Sequence, residues 1–304
     1  VWRPLKHPNI LPLIGSITHG PLFETNSKVV MISPWMHNGV LSEYLERYVG
    51  ADYLFVLSQI AAGLEYLHTL DPPVIHGNLQ GSNILISYTG VPCIAGFGTA
   101  RLASSVHLDD RSPTPYDTQS QTGSLWWSAP EILMGASPTL ESDIFAFGRI
   151  VLELFTGDVP FCGNSDLINI TLLVINGDNP SRPTAEEVAL RGLDDEMWCL
   201  IEACWQKDAL ARPSALQIAE RLQAMVETRS SSTARGKTVS NPRVVKGGAQ
   251  KAVSDQSPSQ TSTYGNALIC NFFMRTAQKG DQWCYGVRRA TTATRNLAVE
   301  IGGE

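Results

Sequence analysis

The sequence predicts an α+β fold, in which a few short strands come first and helices make up most of the remaining chain. Residues 29–33 are rich in β-branched side chains, which is typical of a short strand. Residues 53–68 instead repeat apolar residues at helical spacing, with one face formed by Leu57, Ile60, Ala61, Leu64 and Leu67. The composition changes after residue 228. Residues 229–304 are rich in Ser, Thr, Gly, Lys and Gln, and we expect them to form a disordered tail.

Three further elements are predicted along the chain. Residues 83–86 and 92–95 predict a short hairpin around the turn at Thr89 and Gly90. Residues 144–155 are apolar on nearly all sides, and we expect such a helix to lie in a core. Residues 215–226 form a last amphipathic helix. We therefore predict one folded domain over residues 1–228.

The net charge of −6 is divided unevenly between these two parts. Residues 1–228 contain 12 Lys and Arg against 25 Asp and Glu, whereas residues 229–304 contain 11 against 4. The acidic part gives no electrostatic reason to bind nucleic acid, so we expect none. We interpret the basic tail as a solvated segment, with attraction of acidic partners as the alternative.

Several features bear on location. No apolar run reaches the roughly 18 residues that a membrane helix needs, and the first residues lack a secretory segment. The six cysteines form no C-x2-C pair, so we expect most of them to be buried fillers in a reducing compartment. We expect no membrane association and a cytoplasmic protein. The chain opens without Met, which favours a fragment or a truncated gene model.

Five blocks of sequence carry a family resemblance. They are V-I-H-G-N-L-Q-G-S-N-I-L-I at 74–86, A-G-F-G at 95–98, G-S-L-W-W-S-A-P-E at 123–131, E-S-D-I-F-A-F-G at 141–148 and C-W-Q-K-D-A-L-A-R-P-S at 204–214. In order and approximate spacing they resemble eukaryotic protein kinases of the tyrosine-kinase-like (TKL) group, whose catalytic loop reads H-R-D-x-x-x-x-N and whose metal-binding turn reads D-F-G.

The resemblance extends over residues 1–226 and implies a protein-kinase-like α+β fold. A truncated, β-rich small lobe and the hinge would occupy residues 1–36, and a mainly helical large lobe would occupy residues 37–228. The Gly-rich loop, the V-A-I-K Lys and the αC Glu of the family are absent from the sequence.

The resemblance also assigns the positions that carry kinase chemistry. Asn78 stands in place of the catalytic Asp, Gln80 in place of the Lys of Ser/Thr kinases, and Gly96 in place of the metal-binding Asp. Asn83 matches the second metal ligand. The positions that would face adenine are Ser33, Pro34, Met36 and Leu85.

Other positions would have structural duties by the same resemblance. His76 and Phe97 would pack the catalytic loop, and Asp143 would accept hydrogen bonds from its backbone. Glu131 and Arg212 would form a buried ion pair. Residues 104–123 would be the activation segment, with Gly77 in place of the Arg that reads a phosphate there.

These substitutions favour a pseudokinase that acts as an interaction or signalling module with protein partners. A general base supplies about 10² to 10⁴ in rate, and Asn78 cannot take a proton. ATP and Mg²⁺ are the ligands that the resemblance implies, and we expect weak binding of either, since Gly96 offers Mg²⁺ no ligand. Two alternatives stay open: an active ATP-dependent Ser/Thr or Tyr kinase whose small lobe is incomplete in this sequence, and a truncated, non-functional product.

Overall fold

The helix at the centre of the molecule, α4 (Leu140–Thr156), is buried along nearly its whole length. The computed structural model describes residues 1–19, 28–48, 51–103, 124–163, 166–184, 186–236, 270–275 and 285–288. A capping box starts α4, because the Thr139 hydroxyl accepts from the Ser142 backbone and the Ser142 hydroxyl accepts from the Thr139 backbone. The predicted buried helix at 144–155 is therefore confirmed.

Seven other α-helices of the described residues lie around or beyond α4. In chain order they are α1 (Leu41–Arg47), α2 (Tyr53–Thr69), α3 (Pro130–Leu133), α5 (Leu167–Asn176), α6 (Glu186–Leu190), α7 (Asp195–Cys204) and α8 (Ala215–Gly236). Helix α2 confirms the helix predicted over 53–68, and its apolar face packs against α8. Helix α8 ends ten residues later than the 226 predicted. The hydroxyls of Thr228, Ser230 and Ser231 bond to carbonyls four residues earlier, and Gly236 ends the helix.

The strands of the described residues form three antiparallel sheets. They are β1 (Gly15–His19), β2 (Lys28–Pro34), β3 (Val74–Ile75), β4 (Ile84–Ile86), β5 (Pro92–Ile94), β6 (Arg101–Leu102), β7 (Cys270–Arg275) and β8 (Tyr285–Arg288). The largest sheet has the order β1-β2-β7-β8, while β3 pairs with β6 and β4 pairs with β5. The strand predicted at 29–33 and the hairpin at 83–95 are confirmed.

The mixture of helices and few strands confirms the α+β fold class. The division into a domain at 1–228 and a disordered tail at 229–304 stays a prediction. Within that tail the structure describes the end of α8 and the strands β7 and β8, while residues 237–269, 276–284 and 289–304 lie outside the described residues. The predicted activation segment at 104–123 lies outside them as well.

The N-terminal segment before β1 is attached to α2 and β5 by backbone bonds and by the Asn9 side chain, and it also buries Leu5, Ile10 and Leu11. Ile94 donates its N–H to the Asn9 carbonyl at 2.8 Å, and Leu11 donates to the Ile94 carbonyl at 2.9 Å. The Asn9 amide, only 2% exposed, donates to Gln59 of α2 and to the Pro92 carbonyl of β5. This segment therefore brings Trp2 to the loops that come after β3 and β5.

Candidate functional site

The loop at residues 76–83 is held by one carboxylate at the start of α4. The two oxygens of Asp143 accept the backbone N–H of His76 at 2.7 Å and of Gly77 at 2.8 Å. The Asp143 carboxylate also lies 3.1 Å from Nε2 of His68, at the end of α2. Both of these side chains are almost completely buried. Asp143 thus fixes the direction of the loop through backbone groups, independently of the side chains the loop carries.

Three rings form a continuous column beside this loop. The His76 ring meets the Phe97 ring edge to face at 5.0 Å, and the Phe97 ring stacks on Trp2 at 5.5 Å. Nε2 of His76 lies 2.8 Å from the Ala95 carbonyl, and Nε1 of Trp2 donates to the Leu11 carbonyl at 2.6 Å. Burial lowers the pKa of His76 although Asp143 opposes this, so the imidazole is neutral near pH 7. The ring column joins the loop at residues 76–83 to the N-terminal segment.

The position of the expected base is occupied by a neutral amide. Asn78 is partly buried, and its backbone N–H points to Nδ1 of His76 at 3.3 Å. Its side-chain oxygen lies 3.5 Å from the amide nitrogen of Gln80. The structure therefore brings Asn78 and Gln80 together, as two side chains that have no charge and no basic site at neutral pH.

The two positions expected to bind metal contact each other directly. Gly96 has φ of 82°, and a Cβ placed there would lie 2.5 Å from Cγ and Oδ1 of Asn83. The Asn83 amide group donates to the Asn78 carbonyl at 2.7 Å. Asn83 thus lies in the direction in which a side chain at 96 would project. Gly96 has no side-chain ligand and Asn83 offers only a neutral amide oxygen, so these two residues supply none of the carboxylates by which proteins usually bind Mg²⁺ and do not fit that ion.

Two of the four residues expected to face adenine, Met36 and Leu85, lie in a small apolar cluster. Leu85 is 5% and Met36 7% exposed, and they pack with Leu11, Cys93 and Ala95 against the partly buried Trp2 and Val40. Ser33 is fully buried, and its hydroxyl has no hydrogen-bond partner among the described residues. Pro34 lies opposite Cys270 at the end of the β2–β7 pairing. Leu85 and Met36 therefore leave little apolar surface for a purine ring.

A second carboxylate joins the loop to the segment that precedes α3. Oε2 of Glu153, on α4, accepts from Nε1 of Trp127 at 2.8 Å and from the Gly81 backbone at 3.2 Å. A Cβ at Gly81 would overlap this carboxylate, so the close approach requires glycine. Burial raises the pKa of Glu153 to about 7, while the bonds from Trp127 and Gly81 lower it. Glu153 is the one acidic residue within the apolar stretch at 144–155.

The predicted ion pair lies at the far end of the same segment. The Arg212 guanidinium bonds to both oxygens of Glu131, at 2.6 and 2.9 Å, and to the Glu141 carbonyl at 2.9 Å. The Arg212 side chain is fully buried, and that of Glu131 is 22% exposed. This bidentate pair joins α3 to the turn that precedes α8.

The chain matches the model of a known protein family over most of its folded part. The model of the protein kinase domain matches residues 1–222. The chain belongs to the protein kinase domain family. This agrees with the α+β fold and with the order of the blocks in the sequence.

Curated proteins from two organisms are similar to this kinase domain. Serine/threonine-protein kinase CTR1 of Arabidopsis thaliana is 26% identical over 234 residues, which are 75% of this chain and 26% of that protein. Serine/threonine-protein kinase STY17 of the same plant is 25% identical over 230 residues, covering 74% and 36%. A Dictyostelium discoideum protein named "Probable serine/threonine-protein kinase drkC" is 28% identical over 229 residues, covering 74% and 28%. The chain thus spans about a quarter to just over a third of these relatives.

Some residues that build the kinase-domain site were not assigned a role from the sequence. His68, which follows the apolar face of α2, contacts the Asp143 carboxylate. The partners of Trp2 and Glu153 were not predicted. For Glu153 a signal existed, since an acid within the nearly apolar stretch at 144–155 requires hydrogen-bond donors nearby. No helix within the described part of the chain is both long and apolar enough to cross a membrane.

Proposed function

We propose that this kinase domain transfers no phosphate and serves as a protein-binding module, a pseudokinase of the TKL type inside the cell. The observation that carries the proposal is the contact of Asn83 with Gly96 and with the Asn78 carbonyl. Three positions that in active kinases hold a base and metal ions are here filled by neutral groups that bond to or contact one another. Phosphoryl transfer depends on charge neutralisation and positioning, and this arrangement supplies little of the first.

The proposal is also supported by what the molecule retains. Asp143 keeps the loop in place, the ring column is continuous, and the Arg212–Glu131 pair is bidentate. A domain that keeps its shape while its chemical groups are neutral suits a binding role. ATP is expected to bind weakly, since Leu85 and Met36 are already packed against other side chains. The partners are expected to be proteins that recognise the surface of the folded domain.

One assay tests the absence of transfer. The purified chain is incubated with radiolabelled ATP and Mg²⁺ or Mn²⁺, with itself and a generic protein as acceptors. We expect no incorporation above a heat-denatured control, and none for the variant carrying both Asn78→Asp and Gly96→Asp. Incorporation by the native chain that disappears in Asn83→Ala would contradict the proposal, because it would show that Asn83 binds a metal ion during transfer.

That contrary result would favour the second candidate, an active Ser/Thr kinase. Its support is that CTR1 and STY17 are named as Ser/Thr kinases and that the scaffold contacts above are intact. A thermal-shift titration separates binding from transfer. We expect no stabilisation by ATP with Mg²⁺ up to millimolar concentration. A saturable shift without incorporation would retain the pseudokinase and revise only the expectation of weak nucleotide binding.

A further inference from the structure

The outer edge of β2 is closed by a strand that lies more than 230 residues later in the chain. β7 pairs antiparallel with β2 in the register Met31↔Phe273, Ile32↔Phe272, Ser33↔Asn271 and Pro34↔Cys270. β8 then pairs with β7, from Phe272↔Arg288 to Arg275↔Tyr285. The sheet that contains the hinge strand therefore takes half of its strands from the C-terminal part of the chain.

Alternation along β2 shows which backbone groups this pairing satisfies. The Ile32 carbonyl accepts from Ile14 at 2.8 Å, so the polar groups of Ile32 face the β1 side. Neighbouring residues of a strand direct their polar groups to opposite edges. Met31 and Ser33 therefore direct theirs away from β1, to the edge where Phe273 and Asn271 lie opposite. Pro34, opposite Cys270, is the last residue of the pairing.

Without β7 the outer edge of β2 would have unpaired backbone N–H and C=O groups. Two strands alone make a sheet that is marginal in water, and an open edge presents unpaired N–H and C=O groups to any extended chain. Ile32 is 6% and Ser33 0% exposed, whereas Met31 is 38% exposed, so the buried part of β2 is the part next to Pro34. We propose that the outer edge of β2 is a strand-acceptor site, and that its occupant is the segment Cys270–Arg275 of the same chain.

Sequence length and charge both suit an occupant from the same chain. Residues 237–269 provide 33 residues between the end of α8 and the start of β7. Fully extended, they would span roughly 110 Å at about 3.3 Å per residue, well beyond the diameter of a domain of this size. The excess of basic residues in 229–304 is opposite in sign to the acidic excess in 1–228. Tethering and attraction both raise the local concentration of the strand at the edge.

The experiment is hydrogen exchange on the full chain, comparing native protein with Phe273→Pro. Proline at 273 removes an N–H from the residue opposite Met31 and disfavours the strand. The control is Thr263→Pro, which makes the same change in the sequence before β7. We expect the backbone amides of Met31 and Ser33 to exchange at least about tenfold faster in Phe273→Pro only, because their N–H groups face β7 and lose its carbonyl partners. Slow exchange across α4 shows that each variant remains folded.

Two further measurements make the outcome decisive. A synthetic peptide of residues 266–290 added to Phe273→Pro should restore slow exchange at Met31 and Ser33, and a scrambled peptide should not. Exchange that is equally fast in native protein and Phe273→Pro, with α4 protected, would overturn the proposal. So would protection of Met31 and Ser33 that grows with protein concentration together with a dimer, since the occupant would then belong to a second copy.

Discussion

Ionisation of Glu153 should make the stability of this kinase domain fall between pH 5 and pH 8. Burial raises the pKa of this carboxyl from the usual 4.5 to about 7 in the folded protein. A folded-state pKa above the unfolded one means that the stabilising contribution is complete below about pH 4.5 and is lost as the pH rises through 7. The physical cause is that a charged carboxylate on α4 is poorly solvated, although Trp127 and Gly81 donate to it.

The magnitude can be worked from the size of the shift. A shift of about 2.5 units corresponds to roughly 3 kcal/mol, of which about 2 to 3 kcal/mol falls between pH 5 and pH 8. Glu153→Gln keeps an acceptor for both donors but cannot ionise. Relative to native protein, the variant should therefore gain about 2 to 3 kcal/mol in free energy of unfolding between pH 5 and pH 8.

Urea unfolding at pH 5, 6, 7 and 8 measures this gain directly. The matched control is Glu46→Gln, because Glu46 is exposed and lines the same surface pocket as Glu153. The control should match native protein at every pH. A constant difference between Glu153→Gln and native protein across the four pH values would refute the reasoning, since it would show that Glu153 does not titrate in this range.

Three further substitutions test other contacts. Arg212→Ala leaves its partly buried carboxylate partner without a cation and should lower the free energy of unfolding by about 3 to 5 kcal/mol. The control Arg182→Ala, at an exposed pair, should change it by less than about 1 kcal/mol. Equal losses for the two variants in urea unfolding would contradict this. Gly96→Asp should lower the free energy of unfolding by about 1 to 3 kcal/mol, because the left-handed backbone and the Asn83 contact disfavour a side chain. It should restore no phosphate transfer. A stabilised variant would show that Asn83 moves away freely. Trp2→Ala should lower the free energy of unfolding by about 2 kcal/mol through loss of ring stacking, and Trp2→Phe should lower it by about half of that. An unchanged urea midpoint for Trp2→Ala would mean that the ring column does not support the fold.

Local patterns were enough to predict much of this fold. The apolar period of α2 and the nearly all-apolar α4 were readable because a few neighbouring residues decide them. The order of the sequence blocks then indicated the family. Asn9 shows where such reasoning stops. An Asn that follows His-Pro is typical of a turn, yet this side chain bonds to Gln59 and Pro92, which are 50 and 83 residues away.

The residue types at the site could be predicted from the sequence, whereas most of the contacts between them could not. That Asn78 and Gly96 lack the usual chemistry is evident from their identities alone. Asn83 packs onto Gly96 because the loop at residues 76–83 lies beside the turn that follows β5. A repeat of apolar residues along the sequence does not predict such a contact. The same applies to β7, because the short apolar run at residues 268–273 has neither a helical nor an alternating period. Its pairing with β2 is set by an open edge far away in the sequence.

The attachment of Asp143 bears on how such a domain can change over generations. Asp143 holds the loop by the N–H groups of residues 76 and 77, and every amino acid except proline has such a group. Substitutions in the loop can thus alter its chemistry while the loop keeps its path. A mutational scan would accordingly tolerate many replacements at 78 and 80 and few at 143. The backbone path of this loop can therefore persist after its catalytic side chains have been replaced, so a kinase-like loop conformation does not by itself indicate kinase activity.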